Sequence, residues 1–125
     1  MTRRSLAVVL AVVVTGFLAH VFAAVDVTGK WTSDFDTQIG VQKYTYTFQV
    51  KGSELTGTAA SELGTTVIKN GKVDGDTISF MEPLDFMGML LEITYTGKIV
   101  SEDQIDFTRN VADVATEKLV AKRVK

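Results

Sequence analysis

The chain has 125 residues, 46% of them hydrophobic and 22% charged, which is enough for one domain with a hydrophobic core. Its formal net charge of −2 argues against nucleic acid or an anionic membrane as a partner, because both require a basic patch. The chain has no cysteine and a single histidine, His20, which excludes cysteine nucleophiles, thiolate metal sites and the usual histidine-based triads beyond residue 23. We therefore expect neither a metal site nor a cofactor.

Residues 1–23 have the three parts of a cleaved export signal. Arg3 and Arg4 form a positive start, residues 6–18 are almost all apolar, and small or apolar residues precede a cleavage site after Ala23. The apolar run is shorter than the roughly 20 residues that span a bilayer. The sequence predicts a signal peptide at 1–23, one domain at 24–125, and a periplasmic or secreted product without a lipid anchor. An uncleaved anchor is the alternative.

The remaining chain consists of short alternating segments between turn residues, without helical periodicity. Eight strands are predicted, at 28–36, 41–51, 54–60, 65–73, 76–86, 89–100, 104–110 and 116–124. Gly52, Gly75 and Gly88 mark tight hairpins between them. A meander of eight strands has two open edges unless it closes. We therefore predict an all-β, antiparallel, up-and-down barrel, with an interior wide enough for side chains or one small ligand.

The first and last predicted strands carry residues that should meet when the barrel closes. Gly29-Lys30-Trp31 opens the first strand, and Lys122-Arg123-Val124 lies in the last. We expect Arg123 or Lys122 to cover the Trp31 indole in a cation–π contact. Together with Leu55-Thr56-Gly57-Thr58, these residues resemble the calycins, the small barrels of the lipocalins, fatty-acid-binding proteins and avidins. The resemblance implies a barrel that carries a small apolar or amphipathic ligand, and it does not extend to a biotin site.

Two predicted strands place a charge on an otherwise apolar inner face. Side chains along a strand alternate between two faces, and this alternation points Glu82 and Arg109 inward. Either charge would be costly to bury alone. The sequence leaves two arrangements open, and in one of them Glu82 and Arg109, whose strands are separated by a single strand, pair inside the barrel. The alternative is that Glu82 points outward at a bulge beside Pro83, with Arg109 reaching solvent at the rim.

The hairpin tip from Phe86 to Met89 is apolar, and three of the four methionines lie between Met81 and Met89. An exposed tip of this kind is typical of a portal, a homo-oligomer contact or a contact with a partner protein. The alternative is ordinary core that folds over the end of the barrel.

Three functions remain open, and binding of a small apolar or amphipathic ligand is favoured. The predicted ligand-binding residues are Tyr44, Tyr46, Glu82, Phe86, Met89, Tyr95 and Arg109. The second function is that of a histidine-free isomerase, lyase or hydrolase acting on a small molecule such as a sugar derivative. Glu82 would be its base, Arg109 would polarise a carbonyl and Tyr95 would be its acid. A sugar hydrolase needs two facing carboxylates, and Asp85 is the weak second candidate. The third function is that of an envelope accessory protein that contacts a partner through the 86–89 tip.

Overall fold

The computed structural model describes residues 25–125, and the predicted signal peptide and His20 lie outside the described residues. The described chain forms strands joined by tight turns. The strands are β1 Gly29–Thr37, β2 Gly40–Lys51, β3 Glu54–Ser61, β4 Gly64–Val67, β5 Lys69–Asp74, β6 Thr77–Phe86, β7 Met89–Ser101, β8 Gln104–Val111 and β9 Ala115–Arg123. Across residues 25–125, no helix has the length and apolar character needed to cross a membrane.

The strands form a closed antiparallel barrel in up-and-down order, as predicted. Successive strands pair around the wall, except that β3 pairs with both β4 and β5, and β5 leads on to β6. The last strand returns to the first, where Trp31 pairs with Arg123 and Thr32 with Lys122. The Ser33 hydroxyl extends this short junction by donating a hydrogen bond to the Val120 carbonyl, at 2.7 Å.

The predicted fourth strand, 65–73, is divided into β4 and β5 at Ile68, so that nine strands occupy eight positions in the wall. The Ile68 side chain is buried, and its backbone N–H donates to the Gly57 carbonyl at 3.0 Å. The pairing of β5 with β6 also shifts register between Lys69 and Lys72, where Asn70 has a φ of 54°. A bulge therefore bends this strand. The other predicted boundaries agree within one residue.

The barrel has two different ends. The closed end carries the chain entry at 25–28 and the turns at 51–54, 74–77 and 101–104, and the open end carries the turns at 37–40, 61–64, 86–89 and 111–115. Inward and outward residues alternate along the strands as predicted. The predicted glycine hairpins are also present, with φ of 64°, 61° and 83° at Gly52, Gly75 and Gly88.

Trp31 and Arg123 seal the closed end. The Trp31 side chain is fully buried, and its indole N–H donates to the Val27 carbonyl at 2.9 Å. The Arg123 guanidinium lies 4.5 Å from the indole ring centre. The same guanidinium donates to the backbone carbonyls of Asp26, Thr28 and Glu102, at 2.8, 3.0 and 2.7 Å. Arg123 thus joins the chain entry to the turn at 101–104 as well as covering the indole. The predicted cation–π contact is confirmed, with Arg123 rather than Lys122 as the cation.

Two glycines allow close approaches that a larger residue would block. Gly29 has a φ of 138°, and a Cβ there would lie 3.1 Å from Nη1 of Arg123. Gly97 occupies an inward position on β7, where a Cβ would lie 2.5 Å from the Phe107 ring. Glycine at 97 therefore leaves the space into which the ring of its cross-strand partner Phe107 packs.

We expect Trp31→Ala to lower the free energy of unfolding by roughly 3–5 kcal/mol, because it leaves a large cavity at the closed end. Urea denaturation followed by circular dichroism measures this loss. The matched control is Val124→Ala at an exposed position, which should change stability by less than about 0.5 kcal/mol. A loss for Trp31→Ala no larger than that of the control would show that Trp31 does not hold the closed end together.

Candidate functional site

The candidate site begins with a buried polar network in the half of the barrel nearer the open end. Glu82 on β6 and Arg109 on β8 flank β7, which contributes Tyr95. Strand alternation turns all three side chains inward, and they are 1%, 4% and 0% exposed. Of the two arrangements that the sequence left open, the structure shows the one with Glu82 and Arg109 inside the barrel, and the one with both charges in solvent is wrong.

Two tyrosines satisfy the Glu82 carboxylate. Tyr44 donates to Oε2 at 2.8 Å and Tyr95 donates to Oε1 at 2.9 Å. Because a hydroxyl has one proton, Tyr95 accepts the remaining two hydrogen bonds that it makes. These come from the Tyr46 hydroxyl at 2.9 Å and from Nη1 of Arg109 at 2.8 Å. The network therefore has one direction, and its hydrogen bonds converge on Glu82.

Arg109 connects this network to its cross-strand neighbour on β9, Glu117. Its Nε donates to Oε1 of Glu117 on β9 at 2.7 Å, and its Nη1 lies 3.8 Å from Oε1 of Glu82. The guanidinium also lies about 5 Å from the ring centres of Phe35 and Tyr44. A planar cation of this kind both forms hydrogen bonds and packs against aromatic rings. Arg109 is thus the one side chain that contacts both carboxylates.

Opposing influences act on the pKa of the Glu82 carboxyl group. Burial raises the pKa of Glu82, and the hydrogen bond from Tyr44, the charge of Arg109 and the hydrogen bond from Tyr95 offset only part of this rise. Arg109 makes its shorter contact with Glu117, at 2.7 Å against 3.8 Å, so it compensates Glu117 more completely. Burial also raises the pKa of Tyr46 and of Tyr95, which keeps both hydroxyls protonated.

A cavity of about 200 Å³ lies above the network and opens between the turns of the open end. Its floor contains Tyr44, Arg109, Glu117 and Gln42, and its walls are mostly apolar. The wall residues are Thr37, Gln38, Ile39, Leu63, Leu84, Phe86, Leu91, Ile93, Val111, Ala112, Val114 and Ala115.

The Gln42 amide is an unusual part of this floor. Its side chain is buried, and its Oε1 is the one buried side-chain polar atom among the described residues that lacks a hydrogen-bond partner. Its Nε2 makes a long contact of 3.4 Å with the carbonyl of the preceding Val41. A buried carbonyl oxygen without a donor costs roughly 1–3 kcal/mol, so Gln42 would gain from a ligand that supplies one.

The seven predicted ligand-binding residues occupy three levels. Tyr44, Phe86 and Arg109 line the cavity. Tyr46, Glu82 and Tyr95 lie beneath it and are almost fully buried. Met89 lies beyond it, 62% exposed in the turn at 86–89. Their role in binding a ligand stays a prediction. Asp85, the second carboxylate considered for hydrolysis, is exposed, and it accepts a hydrogen bond from the Gly88 backbone N–H at 3.0 Å instead of facing Glu82.

Sequence reasoning missed two residues of the floor, Glu117 and Gln42. Both follow the same alternation that identified Glu82 and Arg109. Glu117 lies two residues before Leu119 on β9, and Gln42 lies two residues before Tyr44 on β2. Glu117 and Gln42 each extend a row of inward-facing side chains toward the open end, so the alternation that predicts their orientation was present in both strands.

Comparison of this chain with protein-family models, curated proteins and solved structures finds no match. In residues 25–125, histidine, aspartate and glutamate side chains form no group of three that could hold a metal ion. The chemistry of the site therefore has to be argued from its own residues.

We expect the free energy of unfolding of the wild-type protein to fall, relative to that of a Glu82→Gln variant, as pH rises. A carboxyl whose pKa is raised by folding binds its proton more tightly in the folded protein. Its contribution is fully present below its ordinary pKa of 4.5 and is lost as pH rises through the folded-state value. The measurement is urea denaturation of both proteins at several values between about pH 4 and pH 8.

Glu62→Gln is the matched control, since Glu62 is an exposed carboxylate. It measures the general effect of removing one negative charge. If the wild type instead gained stability over Glu82→Gln with rising pH, Tyr44, Tyr95 and Arg109 would outweigh burial, and Glu82 would be held as a carboxylate.

Proposed function

We propose that this protein binds a small, neutral, amphipathic molecule in the cavity at the open end of the barrel. The observation that carries this proposal is a mostly apolar cavity whose floor includes Gln42, the residue whose buried Oε1 has no hydrogen-bond partner. A hydroxyl or amide group on the ligand would donate to Gln42, and the apolar part would lie against Leu84, Phe86 and Leu91. A few polar groups in an apolar pocket are typical of small-molecule sites.

The charges of the floor support a neutral head group. Arg109 already makes a 2.7 Å ion pair with Glu117, and its Nη1 also lies 3.8 Å from Oε1 of Glu82. An anionic ligand that approached Arg109 would also come close to Glu117, whose negative charge would repel it. A neutral group with one hydrogen-bond donor and one acceptor would avoid this repulsion and would still donate a hydrogen bond to Gln42.

The size of the cavity limits the ligand. Drug-sized molecules occupy pockets of about 300–1,000 Å³, whereas an engineered apolar cavity of about 150 Å³ holds benzene. A cavity of about 200 Å³ therefore suits a single ring or a short alkyl chain with one polar group. Below the floor, the rings of Tyr46, Phe80 and Tyr95 pack at centre separations of 4.3–6.1 Å, so a longer ligand would have to displace packed core.

We further propose that the protein is a calycin-like carrier exported by its N-terminal segment. The closed barrel, the buried Trp31 and the Arg123 cation over its indole support the calycin resemblance. The basic start and apolar run of residues 1–23 support export. Catalysis by Glu82 is less favoured, because its side chain is 1% exposed and lies beneath Tyr44, out of reach of a substrate in the cavity.

Hexanol, hexanamide and hexanoate share one alkyl chain and differ in the head group. We expect hexanol and hexanamide to bind at least about tenfold more tightly than hexanoate, a difference of about 1.4 kcal/mol. Titrations followed by NMR of the backbone amides measure the affinities. The shifts should concentrate at Gln42, Leu84 and Leu91. Tightest binding by hexanoate would contradict a neutral head group.

A matched pair of variants tests whether the cavity is the binding site. Ala115 lines the cavity and the adjacent Thr116 is exposed on the outer face. Ala115→Phe should fill the cavity and abolish hexanol binding, whereas Thr116→Phe should leave it unchanged. Equal affinities in the two variants would place the binding elsewhere on the protein.

Export is tested by mass spectrometry of the protein recovered after expression of the full chain with its own N-terminal segment. We expect a mass that begins at Ala24, because small or apolar residues precede Ala24 in the pattern that signal peptidases cleave. A mass that retains Met1 would mean that the segment stays attached as an anchor.

A further inference from the structure

Each of the four turns at the open end exposes at least one large apolar side chain. Ile39 is 56% exposed, Leu63 41%, Met87 90% and Val114 76%. We call these four residues the apolar rim. Apolar side chains are uncommon at the tips of hairpins, where glycine, asparagine, aspartate, serine and proline dominate. Four such tips around a single opening therefore need an explanation that one exposed residue would not.

The closed end provides an internal comparison. Its three turns are Lys51-Gly52-Ser53-Glu54, Asp74-Gly75-Asp76-Thr77 and Ser101-Glu102-Asp103-Gln104, all polar apart from their glycines. Both ends belong to one barrel and face the same solvent. The apolar rim is therefore specific to the end that holds the cavity, and it is not a general property of the turns in this chain.

The charges around the apolar rim all have one sign. Glu62 and Asp113 lie in two of the four turns, Asp85 lies immediately beside a third, and all three are exposed. The turns at 37–40, 61–64, 86–89 and 111–115 contain no lysine or arginine. A surface that is apolar at its tips and acidic between them is complementary to one that is apolar and basic.

We propose that the apolar rim docks a cationic, amphipathic segment of a partner protein. Apolar side chains of the segment would pack against Ile39, Leu63, Met87 and Val114, and its basic side chains would lie near Glu62, Asp85 and Asp113. An amphipathic helix laid on an apolar surface is a recurrent mode of recognition. The two methionines at 87 and 89 suit it, because flexible thioethers adapt to differently shaped partners.

The acidic side chains disfavour two other occupants of the apolar rim, a second copy of this chain and a membrane surface. Two copies of the chain placed rim to rim would bring six carboxylates together without a basic side chain from the turns between them. A membrane surface would meet apolar tips with no lysine or arginine to hold its phosphate groups, which usually supply much of the attraction of peripheral proteins. Ile39, Leu63 and Val114 also line the cavity. Docking does not require a ligand in the cavity, so a failure of one proposal does not overturn the other.

The test uses two fluorescently labelled helical peptides, one of leucine and lysine and one with glutamate at every lysine position. Fluorescence anisotropy should show binding of the lysine peptide alone, and added salt should weaken it. The variant Ile39→Ser/Met87→Ser/Val114→Ser should weaken binding at least about tenfold. Circular dichroism checks that its fold is retained, as expected for substitutions at exposed tips.

Two further variants separate the apolar and the charged contributions. Val100→Ser/Val124→Ser removes exposed apolar side chains outside the rim and should bind as the wild type does. Glu62→Gln/Asp113→Asn removes two carboxylates, and asparagine tolerates the φ of 62° at position 113. This variant should weaken binding and lose most of the salt dependence.

Three results would overturn the proposal. They are equal binding of the lysine and glutamate peptides, equal affinity of the rim variant and the Val100→Ser/Val124→Ser control, and binding of phosphatidylcholine vesicles in place of the peptide. A concentration-dependent dimer that the rim variant abolishes would assign the rim to a second copy of this chain instead. Loss of hexanol binding in Ala115→Phe bears only on the cavity and leaves the docking result unaffected.

Discussion

A layer formed by the buried Glu82 and Arg109 and the half-buried Glu117 constrains the half of the barrel nearer the open end. Two carboxylates and one guanidinium cannot be removed from water unless each finds partners, and the three are joined by contacts of 2.7–3.8 Å. The hydroxyls of Tyr44 and Tyr95 donate hydrogen bonds to the carboxylate of Glu82. Because these five side chains come from five strands, the layer also fixes how the strands are arranged around it.

The barrel is thereby divided into two parts with different physical character. Toward the closed end the interior is apolar and filled, with Trp31, Phe48, Ile78 and Ile105 nearly or fully buried. Hydrophobic burial and the hydrogen bonds of Arg123 hold this part. Above the polar layer the side chains no longer meet across the axis, and a cavity remains. The barrel therefore combines a tightly packed closed end with an open end whose side chains are free to contact other molecules.

Alternation explains why much of this structure was predictable from sequence. It placed Glu82 and Arg109 on inner faces, and their separation by one strand made an internal pair one of the two arrangements that the sequence left open. The same rule applied to Glu117 and Gln42, but these residues lie near strand ends, where it is harder to tell a last inward position from the start of a turn. The cavity depends on side-chain lengths across the barrel, which a pattern along one strand does not encode. The break at Ile68 had a signal in the sequence that was missed, because Val67 and Ile68 are adjacent apolar residues and Asn70-Gly71 is a pair typical of turns.

The break at Ile68 has a consequence for motion. Beyond Met81, β6 has no ladder partner on its β4 side, because β4 pairs only with β3. The wall of the cavity beside Leu84 and Phe86 is therefore hydrogen-bonded along a single edge, through β7. Local opening breaks the fewest hydrogen bonds where a strand is held on one side. Amide hydrogens in this section of β6 should exchange with solvent before those of the closed end, so we expect the cavity to open first along this side wall.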